Sequence, residues 1–387
     1  MTPAARVQAA IEILDQIFGG QAAEQVLTGW ARRSRFAGSK DRAAVRDHVF
    51  DALRQRRSAA AAGGGDTGRQ VMTGVLRLAG ADLKDIFTGT GYAPDALTPQ
   101  EQSGGRAPQS EAEEFDLPDW LWPRFVNSLG HDGTVAAASA LQRRAPVFLR
   151  VNLLKSTLTD AQNALQGEDI QTVACAVSPT ALKVTSGSRK IRASKAFQTG
   201  LVELQDAASQ AVADALPITQ GRRILDMCAG GGGKTLAIAA RSNDVVYAYD
   251  AAPRRLRDLP ARADRAGAKV RLLDDLDQPD PFDLVLCDAP CSGSGAWARV
   301  PEGKWSLTQD RLENIKASQA EILDRALTLV RPGGIVAYAT CSYLAEENRG
   351  QIDTLLRRNS GWRLALERSW GAQQETDGFY SAHLTHA

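Results

Sequence analysis

The stretch that decides the fold is Ile224-Leu225-Asp226-Met227-Cys228-Ala229-Gly230-Gly231-Gly232-Gly233-Lys234-Thr235. A short apolar run ends in an acid, four consecutive glycines follow, and the apolar helical sequence LAIAARS comes next. Glycine is required where a ligand approaches the backbone closely or where the backbone takes a positive φ. The stretch therefore predicts a β-strand, a ligand-binding glycine loop and a helix, in that order.

Three kinds of ligand loop can be compared with this stretch. A phosphate loop needs G-x-x-x-x-G-K-[ST], but the position of its first glycine is Cys228. The dinucleotide pattern G-x-G-x-x-G, started at Gly230, has Thr235 at its third glycine. The methyl-donor loop of nucleotide-like methyltransferases has an acid at the strand end and glycines four and six residues later. Asp226, Gly230 and Gly232 satisfy that last pattern.

Five apolar runs between residues 223 and 339 alternate with helical segments and indicate a doubly wound α/β sheet. Because ligands bind at the carboxyl ends of parallel strands, the acids at those ends are candidates for the donor site. Asp250 follows the second strand and is expected to bind the ribose hydroxyls. Asp274 or Asp275 follows the third strand and is expected to contact adenine. The predicted donor-binding residues are Cys228, Ala229, Gly230, Gly231, Gly232, Gly233, Lys234, Asp250, Arg255, Asp274 and Asp288.

Two cysteines follow the fourth and fifth predicted strands, in Asp288-Ala289-Pro290-Cys291 and Thr340-Cys341-Ser342. Carbon 5 of a pyrimidine is a poor nucleophile until a thiolate adds to carbon 6 and forms an enamine. An acid near ring nitrogen 3 assists this addition, and Asp288 is placed for that role. A base must then remove the proton from carbon 5. A methyl-donor loop beside two cysteines therefore predicts pyrimidine carbon-5 methylation.

The chain has five cysteines and four histidines, and their spacing does not form a zinc pattern, so we expect no metal. An odd number of cysteines in a long chain favours free thiols and a reducing cytoplasm. No apolar run is long enough to span a membrane. With 46 basic and 45 acidic residues, the net charge of +1 excludes bulk coating of nucleic acid.

Local basic regions nevertheless suggest where RNA could bind. Residues 32–57 carry nine basic and three acidic side chains, which form either a solvated helix face or an RNA-facing surface. We predict three parts: a helical domain with an acidic linker over 1–115, a basic α+β RNA-binding module over 116–205, and a catalytic domain over 206–387. Within the module, residues 146–198 carry the basic side chains Arg150, Lys155, Lys183, Arg189, Lys190, Arg192 and Lys195.

Taken together, these motifs resemble the Sun/Fmu (RsmB-like) family of RNA cytosine-5 methyltransferases over residues ~146–384. The looser N-terminal resemblance is to the antitermination-factor-like helical domain of bacterial ribosomal-RNA members. The segments that carry the resemblance are Asp226–Thr235, Asp288–Gly293, Gly303-Lys304-Trp305, Thr340-Cys341-Ser342 and Glu346-Glu347-Asn348, with weaker matches at Leu149–Asn152, Gln205-Asp206-Ala207 and Asp377-Gly378-Phe379.

The resemblance implies a class I methyltransferase (Rossmann-like) sheet and S-adenosylmethionine as the methyl donor. It implies that Cys341 is the nucleophile, that Cys291 assists release, and that Lys234 and Asp288 act in the active site. One departure is visible, since the family loop commonly has Ala-Pro where this chain has Gly230-Gly231. Because this chain lacks the rigid proline, we expect its glycine loop to be more mobile than the common family loop.

The sequence leads to one main hypothesis and two alternatives. The main one is a monomeric cytoplasmic RNA cytosine-5 methyltransferase that acts on small-subunit ribosomal RNA. The same chemistry on transfer RNA or DNA is a second enzymatic possibility. A catalytically silent RNA-binding or ribosome-assembly factor is the third, although such a factor would have no chemical need for Cys291, Cys341, Lys234 and Asp288.

Overall fold

The computed structural model describes residues 1–277 and 280–386. Contacts divide the chain into two compact units. The helical unit comprises Met1–Arg144 and Trp297–Ser306, and the α/β unit comprises Ala145–Ala296 and Leu307–Ala387. The boundary observed at residue 144 differs from the predicted boundary at 115, because the long helix before residue 144 clusters with the N-terminal helices.

The first 144 residues of the helical unit form helices of four to twenty residues. The first helix begins after Thr2, whose side chain accepts a hydrogen bond from the Ala5 N–H, and proline occupies its first position. Its apolar face is buried, since Val7 and Leu14 are at most 1% exposed. The helices are α1 (Pro3–Phe18), α2 (Ala23–Arg33), α3 (Ser39–Arg54), α4 (Arg56–Gly63), α5 (Gly68–Leu78), α6 (Leu83–Ile86), α7 (Pro99–Ser103), α8 (Glu111–Glu114) and α9 (Trp122–Leu141, kinked at Gly130).

The predicted acidic linker is ordered and belongs to the helical unit. Its acids meet basic side chains nearby: Glu101 lies 2.6 Å from Arg69, and Glu113 lies 2.6 Å from Arg106. The hydrogen bonds from Arg69 lower the pKa of Glu101 to about 2. The acidic composition therefore serves local ion pairing as well as solvation.

A small antiparallel sheet opens the α/β unit. Its strand order is β2-β3-β1-β4, and α10 and α11 pack in the same cluster. Strand β1 lies within the alternating stretch PVFLRVN of residues 146–152. The elements are β1 (Val147–Val151), α10 (Leu158–Gln166), β2 (Gln171–Ala174), β3 (Ala181–Ser186), α11 (Lys195–Gln198) and β4 (Val202–Leu204).

A seven-stranded sheet forms the rest of the α/β unit, in the order β10-β11-β9-β8-β5-β6-β7. The five predicted strands are confirmed as the parallel set β5 to β9, and β8 is an apolar run buried on both faces, as parallel strands are. In chain order the remaining elements are α12 (Ala207–Ala215), β5 (Ile224–Asp226), α13 (Gly233–Ser242), β6 (Val246–Ala248), α14 (Leu259–Ala266), β7 (Val270–Leu272), β8 (Phe282–Asp288), α15 (Glu302–Ser306, within the helical unit), α16 (Gln309–Leu329), β9 (Val330–Thr340), α17 (Arg349–Arg358), β10 (Trp362–Trp370) and β11 (Phe379–His386).

Strands β10 and β11 were not predicted. They add to the sheet in antiparallel fashion, with β11 paired to β9 and β10 paired to β11. Strand β11 places residues 377–379 near the end of β9, where Cys341 follows. Among the residues that the structure describes, no helix is both long and apolar enough to cross a membrane.

Candidate active site

The glycine loop joins the end of β5 to the start of α13, as the sequence predicted. Gly230 and Gly232 have φ values of 51° and 81°, which side-chain-bearing residues rarely adopt. A Cβ added at Gly232 would also lie 2.1 Å from Cδ1 of Leu259 on α14. The loop therefore needs glycine at these positions for backbone conformation and for packing.

Asp226, the acid at the end of β5, is buried beneath this loop. Its Oδ2 accepts a hydrogen bond of 2.7 Å from the Thr235 hydroxyl on α13. Burial raises the pKa of Asp226 to about 7, because the charged form loses solvation. The side chain thus ties the strand to the helix that follows the loop.

Asp250 lies beside the loop at the end of β6. Its carboxylate accepts hydrogen bonds of 2.9 Å from the Gly230 and Ala252 N–H groups and lies 3.0 Å from the Arg255 guanidinium. The Asp250 side chain is only 4% exposed, whereas that of Arg255 is 54% exposed. The structure therefore brings together three predicted donor-site residues.

The two candidate acids after β7 differ in their local bonding. Both Asp274 and Asp275 are exposed. Oδ1 of Asp275 accepts a hydrogen bond of 2.9 Å from the Asp277 N–H, so this side chain caps its own turn. Within the part of the chain that the structure describes, the Asp274 side chain accepts no corresponding hydrogen bond from a following N–H group.

Lys234 and Asp288 meet at the centre of the sheet edge. Lys234 Nζ donates a 2.7 Å hydrogen bond to Asp288 Oδ2 and lies 4.8 Å from the centre of the Phe379 ring. The Lys234 side chain is 6% exposed and that of Asp288 is 32% exposed. A buried ammonium paired with a partly open carboxylate can hold charge and protons next to a bound ring. Sequence reasoning did not identify Phe379 as part of this group.

The two predicted catalytic cysteines are in contact. The Sγ atoms of Cys291, after β8, and Cys341, after β9, are 3.3 Å apart. The thiol contact with Cys341, followed by burial, raises the pKa of Cys291 well above its usual value. Burial likewise raises the pKa of Cys228 and of Cys287, which lies inside β8.

Backbone hydrogen bonds connect the cysteine loops to each other and to β11. The Gly295 N–H donates to the Cys341 carbonyl at 3.0 Å, and the Gly378 N–H donates to the Gly295 carbonyl at 2.9 Å. A Cβ at Gly295 would lie 2.0 Å from the Gly378 carbonyl oxygen. Gly295 is thus required for this close approach.

Glu347 is a buried acid whose position the sequence did not reveal. Its carboxylate accepts hydrogen bonds from both serines that follow the cysteines, Ser292 and Ser342. The only signal in the sequence was its place in Glu346-Glu347-Asn348. That pattern marked a resemblance and gave no role for the side chain.

Arg150 is a second residue with an unforeseen position. It is 3% exposed, and its guanidinium donates to the Gly233 carbonyl and to the Gln205 side chain. Burial lowers the pKa of Arg150 to about 10. This side chain, counted in the sequence with the basic module, supports the start of α13 from within the α/β unit.

The Gly303-Lys304-Trp305 motif lies in the helical unit. Lys304 is fully buried there, and its Nζ donates a 2.8 Å hydrogen bond to the Arg54 carbonyl. Trp305 Nε1 donates to the Leu53 carbonyl at 2.7 Å. In residues 1–277 and 280–386, no group of three or more histidine, cysteine or acidic side chains could hold a metal ion.

Comparisons with known families match two parts of the chain. Residues 213–385 match the family model of the 16S rRNA methyltransferase RsmB/F, and residues 117–189 match the ferredoxin-like domain of RsmF/B-like methyltransferases.

Individual relatives agree with these models. A probable ribosomal RNA small subunit methyltransferase B of Synechocystis is 31% identical over 71% of this chain and 64% of its own length. The ribosomal RNA small subunit methyltransferase B of Enterobacter is 33% identical over 70% of this chain and 67% of its own length. The matched region thus spans about two thirds of the length of these curated relatives.

A solved structure gives the same fold. A methyltransferase homologue from Pyrococcus horikoshii superposes with a TM-score of 0.63, is 27% identical, and is matched over 71% of this chain and 97% of its own. The predicted class I methyltransferase sheet and the predicted methyl donor are thereby confirmed. With its glycine loop, paired thiols and these matches, the chain belongs to the RsmB/F family of S-adenosylmethionine-dependent methyltransferases.

Proposed function

We propose that this protein is an RNA cytosine-5 methyltransferase that acts on small-subunit ribosomal RNA. The observation that carries the proposal is the 3.3 Å contact between the thiols of Cys291 and Cys341 beside the Lys234–Asp288 pair. Carbon-5 methylation needs a thiol nucleophile, a group that assists its release and a proton-holding acid at one ring. These side chains supply all three.

The donor site is proposed at the glycine loop and the ends of β6 and β7. Asp250 is buried beside Gly230, so its carboxylate is held where it can accept hydrogen bonds from ribose hydroxyls. Asp274 is favoured over Asp275 for the adenine amino group, because Asp275 caps its own turn. S-adenosylmethionine supplies an electrophilic methyl group when it is bound there.

The Cys341 thiolate is proposed to add to carbon 6 of the cytosine, forming the Cys341–cytosine bond and raising electron density at carbon 5. The Cys291 thiol touches the Cys341 thiol, with the two Sγ atoms 3.3 Å apart. We propose that Cys291 acts as the base that takes the carbon-5 proton after methyl transfer, so that the bond between Cys341 and carbon 6 breaks and Cys341 leaves as a thiolate.

The Lys234–Asp288 pair is proposed to stabilise the ring during this addition. Negative charge develops at ring nitrogen 3 when the thiolate adds to carbon 6. Asp288 is the more exposed member of the pair and can reach the ring, whereas Lys234 lies behind it and fixes the carboxylate at 2.7 Å. The proton that the pair holds can pass from Asp288 to nitrogen 3 as this charge develops, which leaves the Asp288 carboxylate paired with the Lys234 ammonium.

RNA binding by the helical unit is proposed for one segment of its basic region. The nine basic side chains of residues 32–57 divide into two groups. Four have structural contacts: Arg46 pairs with Glu24, Arg54 with Asp51, Arg57 with Asp119, and Arg56 stacks on Phe18.

The other five basic side chains are exposed and, within the described residues, form no ion pair. We define them as the basic segment: Arg32, Arg33, Arg35, Lys40 and Arg42.

The basic segment combines positive charge with an exposed aromatic side chain. Phe36, between Arg35 and Lys40, is 76% exposed. A surface groove of about 230 Å³ lies nearby and includes Trp30 and Arg42 in its lining. Basic side chains contact phosphates without sequence preference, and an exposed ring can stack on an unpaired base. These features favour the RNA-facing interpretation of this segment over a merely solvated face.

The test is methylation of RNA by purified protein with labelled S-adenosylmethionine, followed by bisulfite mapping. Small-subunit ribosomal RNA should gain 5-methylcytosine at a defined position, and the Cys341→Ala variant should gain none while it keeps donor affinity. Methylation of transfer RNA or DNA alone would favour the same chemistry on another substrate. RNA binding without any methyl transfer would favour an assembly factor. Full activity of Cys341→Ala would overturn the assigned mechanism.

We also propose that the protein acts as a monomer in the cytoplasm, where thiols stay reduced. Both reactive cysteines must be reduced for the proposed chemistry, since a disulfide would block the nucleophile. Light scattering of the purified protein gives its mass in solution. A stable dimer, or a loss of activity that only reductant restores in cells, would contradict this part.

A further inference from the structure

We infer that Glu347 is a positioning residue that sets the spacing of the two reactive thiols by holding both cysteine loops at once. Glu347 is 0% exposed and follows β9 by seven residues. Its side chain lies between the loop after β8 and the loop after β9. This inference rests on the proposed function, because it assigns a role in the two-thiol chemistry.

The first contact of Glu347 is with the Cys291 loop. Oε1 accepts a 2.7 Å hydrogen bond from the Ser292 N–H, and Oε2 accepts one of 2.5 Å from the Ser292 hydroxyl. Ser292 is the residue directly after Cys291. Two bonds to one residue, one of them to the backbone, fix both the path of the chain and the side-chain rotamer there.

The second contact is with the Cys341 loop. Oε2 also accepts a 2.5 Å hydrogen bond from the hydroxyl of Ser342, the residue directly after Cys341. The Ser342 hydroxyl in turn accepts from the Leu344 N–H at 3.0 Å and lies 3.0 Å from the Ser294 hydroxyl. One carboxylate oxygen therefore receives a hydrogen bond from each of the two loops.

A third contact anchors this arrangement to the helix behind it. Gln319 on α16 is fully buried, and its Nε2 donates to Glu347 Oε1 at 3.1 Å and to the Pro290 carbonyl at 2.9 Å. Pro290 is the residue directly before Cys291. The Cys291 loop is thus held on both sides of the cysteine by the same pair of buried side chains.

These hydrogen bonds matter for catalysis because the thiols must reach one ring from their two loops. Hydrogen bonds among buried groups are strengthened by the low local dielectric, and removing one partner leaves a buried group unsatisfied. Small misplacements of reacting groups cost large factors in rate. Glu347 is bonded to the residues that directly follow the two cysteines, so it sets the spacing of the thiols through Ser292 and Ser342. Besides the contact with Cys341 and burial, the negative charge of Glu347 also contributes to the raised pKa of Cys291.

The experiment measures thiol spacing directly and separately from RNA methylation. Dibromobimane becomes fluorescent when it links two neighbouring thiols, so its rate of bridging Cys291 to Cys341 reports their spacing. The test variant is Glu347→Gln, which keeps the size of the side chain and removes two of its four acceptor positions. The matched control is Glu346→Gln, since Glu346 is the neighbouring acid and pairs with Lys316 at 3.1 Å. Cys341→Ala gives the background without a bridge.

We expect Glu347→Gln to slow bridging and to lower kcat by about tenfold or more, with the KM for donor and RNA unchanged. Glu346→Gln should match the unmodified protein in both measurements. A Glu347→Gln variant with normal donor affinity, normal bridging and normal kcat would overturn the inference. If no RNA is methylated by the unmodified protein, the proposed function fails, and the bridging rates still decide the role of Glu347.

Ser292→Ala and Ser342→Ala keep the inference testable if Glu347→Gln does not fold. Each removes one hydroxyl bond to Glu347 while the carboxylate stays, so each should slow bridging by less than Glu347→Gln does. Combining either with Glu347→Gln should slow it little further, because the changes act on one shared network. Equal bridging in both serine variants and in the unmodified protein would contradict positioning through these residues.

Discussion

Two groups of basic residues, one in the α/β unit and one in the helical unit, are used in opposite ways. In the α/β unit, Arg150 and Lys234 are nearly buried, and their charged groups bind the glycine loop and Asp288. In the helical unit, the basic segment is exposed and forms no ion pair within the described chain. The buried charges of Arg150 and Lys234 thus help to build a site. The exposed charges of the basic segment remain available to an outside partner.

This difference shows why counting charges along the chain is a weak guide to RNA binding. Of the seven basic side chains counted in the α+β module, Arg150 is buried, Lys155 donates to the carbonyls of Thr199 and Arg265, and Lys183 and Lys190 pair with acids. Nothing in their spacing distinguished them from the residues of the basic segment. Only burial and bonding separate the two uses.

The largest effect should come from the α/β unit. Cys291→Ala should leave Cys341 bonded to cytosine after methyl transfer, because the group that assists release is gone. Turnover should stop, and a covalent protein–RNA adduct should be visible on a denaturing gel. Neutralising the basic segment should never yield such an adduct. Normal turnover by Cys291→Ala, or the absence of any adduct, would remove its proposed role.

A matched pair of lysines tests the comparison directly. Lys234→Met removes the buried ammonium beside Asp288 and should lower kcat by about 100-fold or more, as the removal of an oriented charge does. Lys40→Met removes an exposed ammonium and should leave kcat unchanged. Single-turnover methylation at saturating RNA gives both values. If kcat decreased by similar factors in the two variants, burial of a lysine would not determine its effect on catalysis in this protein.

A smaller effect is expected when all five residues of the basic segment are changed to glutamine. RNA affinity should fall, and the slope of log affinity against log salt should decrease by about 0.7 to 0.9 for each phosphate that these side chains neutralise. The thermal midpoint and donor affinity should not change, since these side chains support no buried contact. Filter binding over a series of salt concentrations measures the slope. An unchanged slope would show that this segment is only a solvated face.

The smallest effect concerns Lys304, a buried basic residue of the helical unit. Burial lowers the pKa of Lys304 to about 8 from the usual 10.5, so the unfolded chain binds more protons than the folded one between those values. The contribution of Lys304 to the free energy of unfolding should therefore rise as pH increases from about 8 to about 10.5. Urea denaturation of Lys304→Met should lack this rise. The same pH dependence in both proteins would contradict it.

The sequence predicted the central strands and the glycine loop because those features depend on local patterns. Asp226, Gly230 and Gly232 follow one another at fixed spacing, and Leu284–Cys287 within β8 is a continuous apolar run. The location of Cys291 and Cys341 at one sheet edge also follows from strand order alone. Their 3.3 Å contact adds what periodicity cannot provide, namely a distance between two loops.

Other features could not be predicted because they depend on contacts that are distant in sequence. Glu347 meets Ser292 across 55 residues, and Arg150 meets Gly233 across 83. Phe379 reaches Lys234 only because β11 returns antiparallel beside β9. The three-part domain division remains a prediction, and the observed cluster that joins residues 297–306 to the first 144 has no signal in composition.

The helical unit is discontinuous in sequence, because it combines residues 1–144 with residues 297–306. This sets the order in which the chain can fold during synthesis. Trp297 stacks on Phe125 of α9, and Lys304 and Trp305 are bonded to the end of α3, so the helical unit lacks part of its interior until residue 306 has left the ribosome. At ordinary elongation rates the first 144 residues wait on the order of 10 to 30 s for that piece. The segment made first is therefore completed late, and a nascent-chain truncation before residue 297 should leave it open to protease.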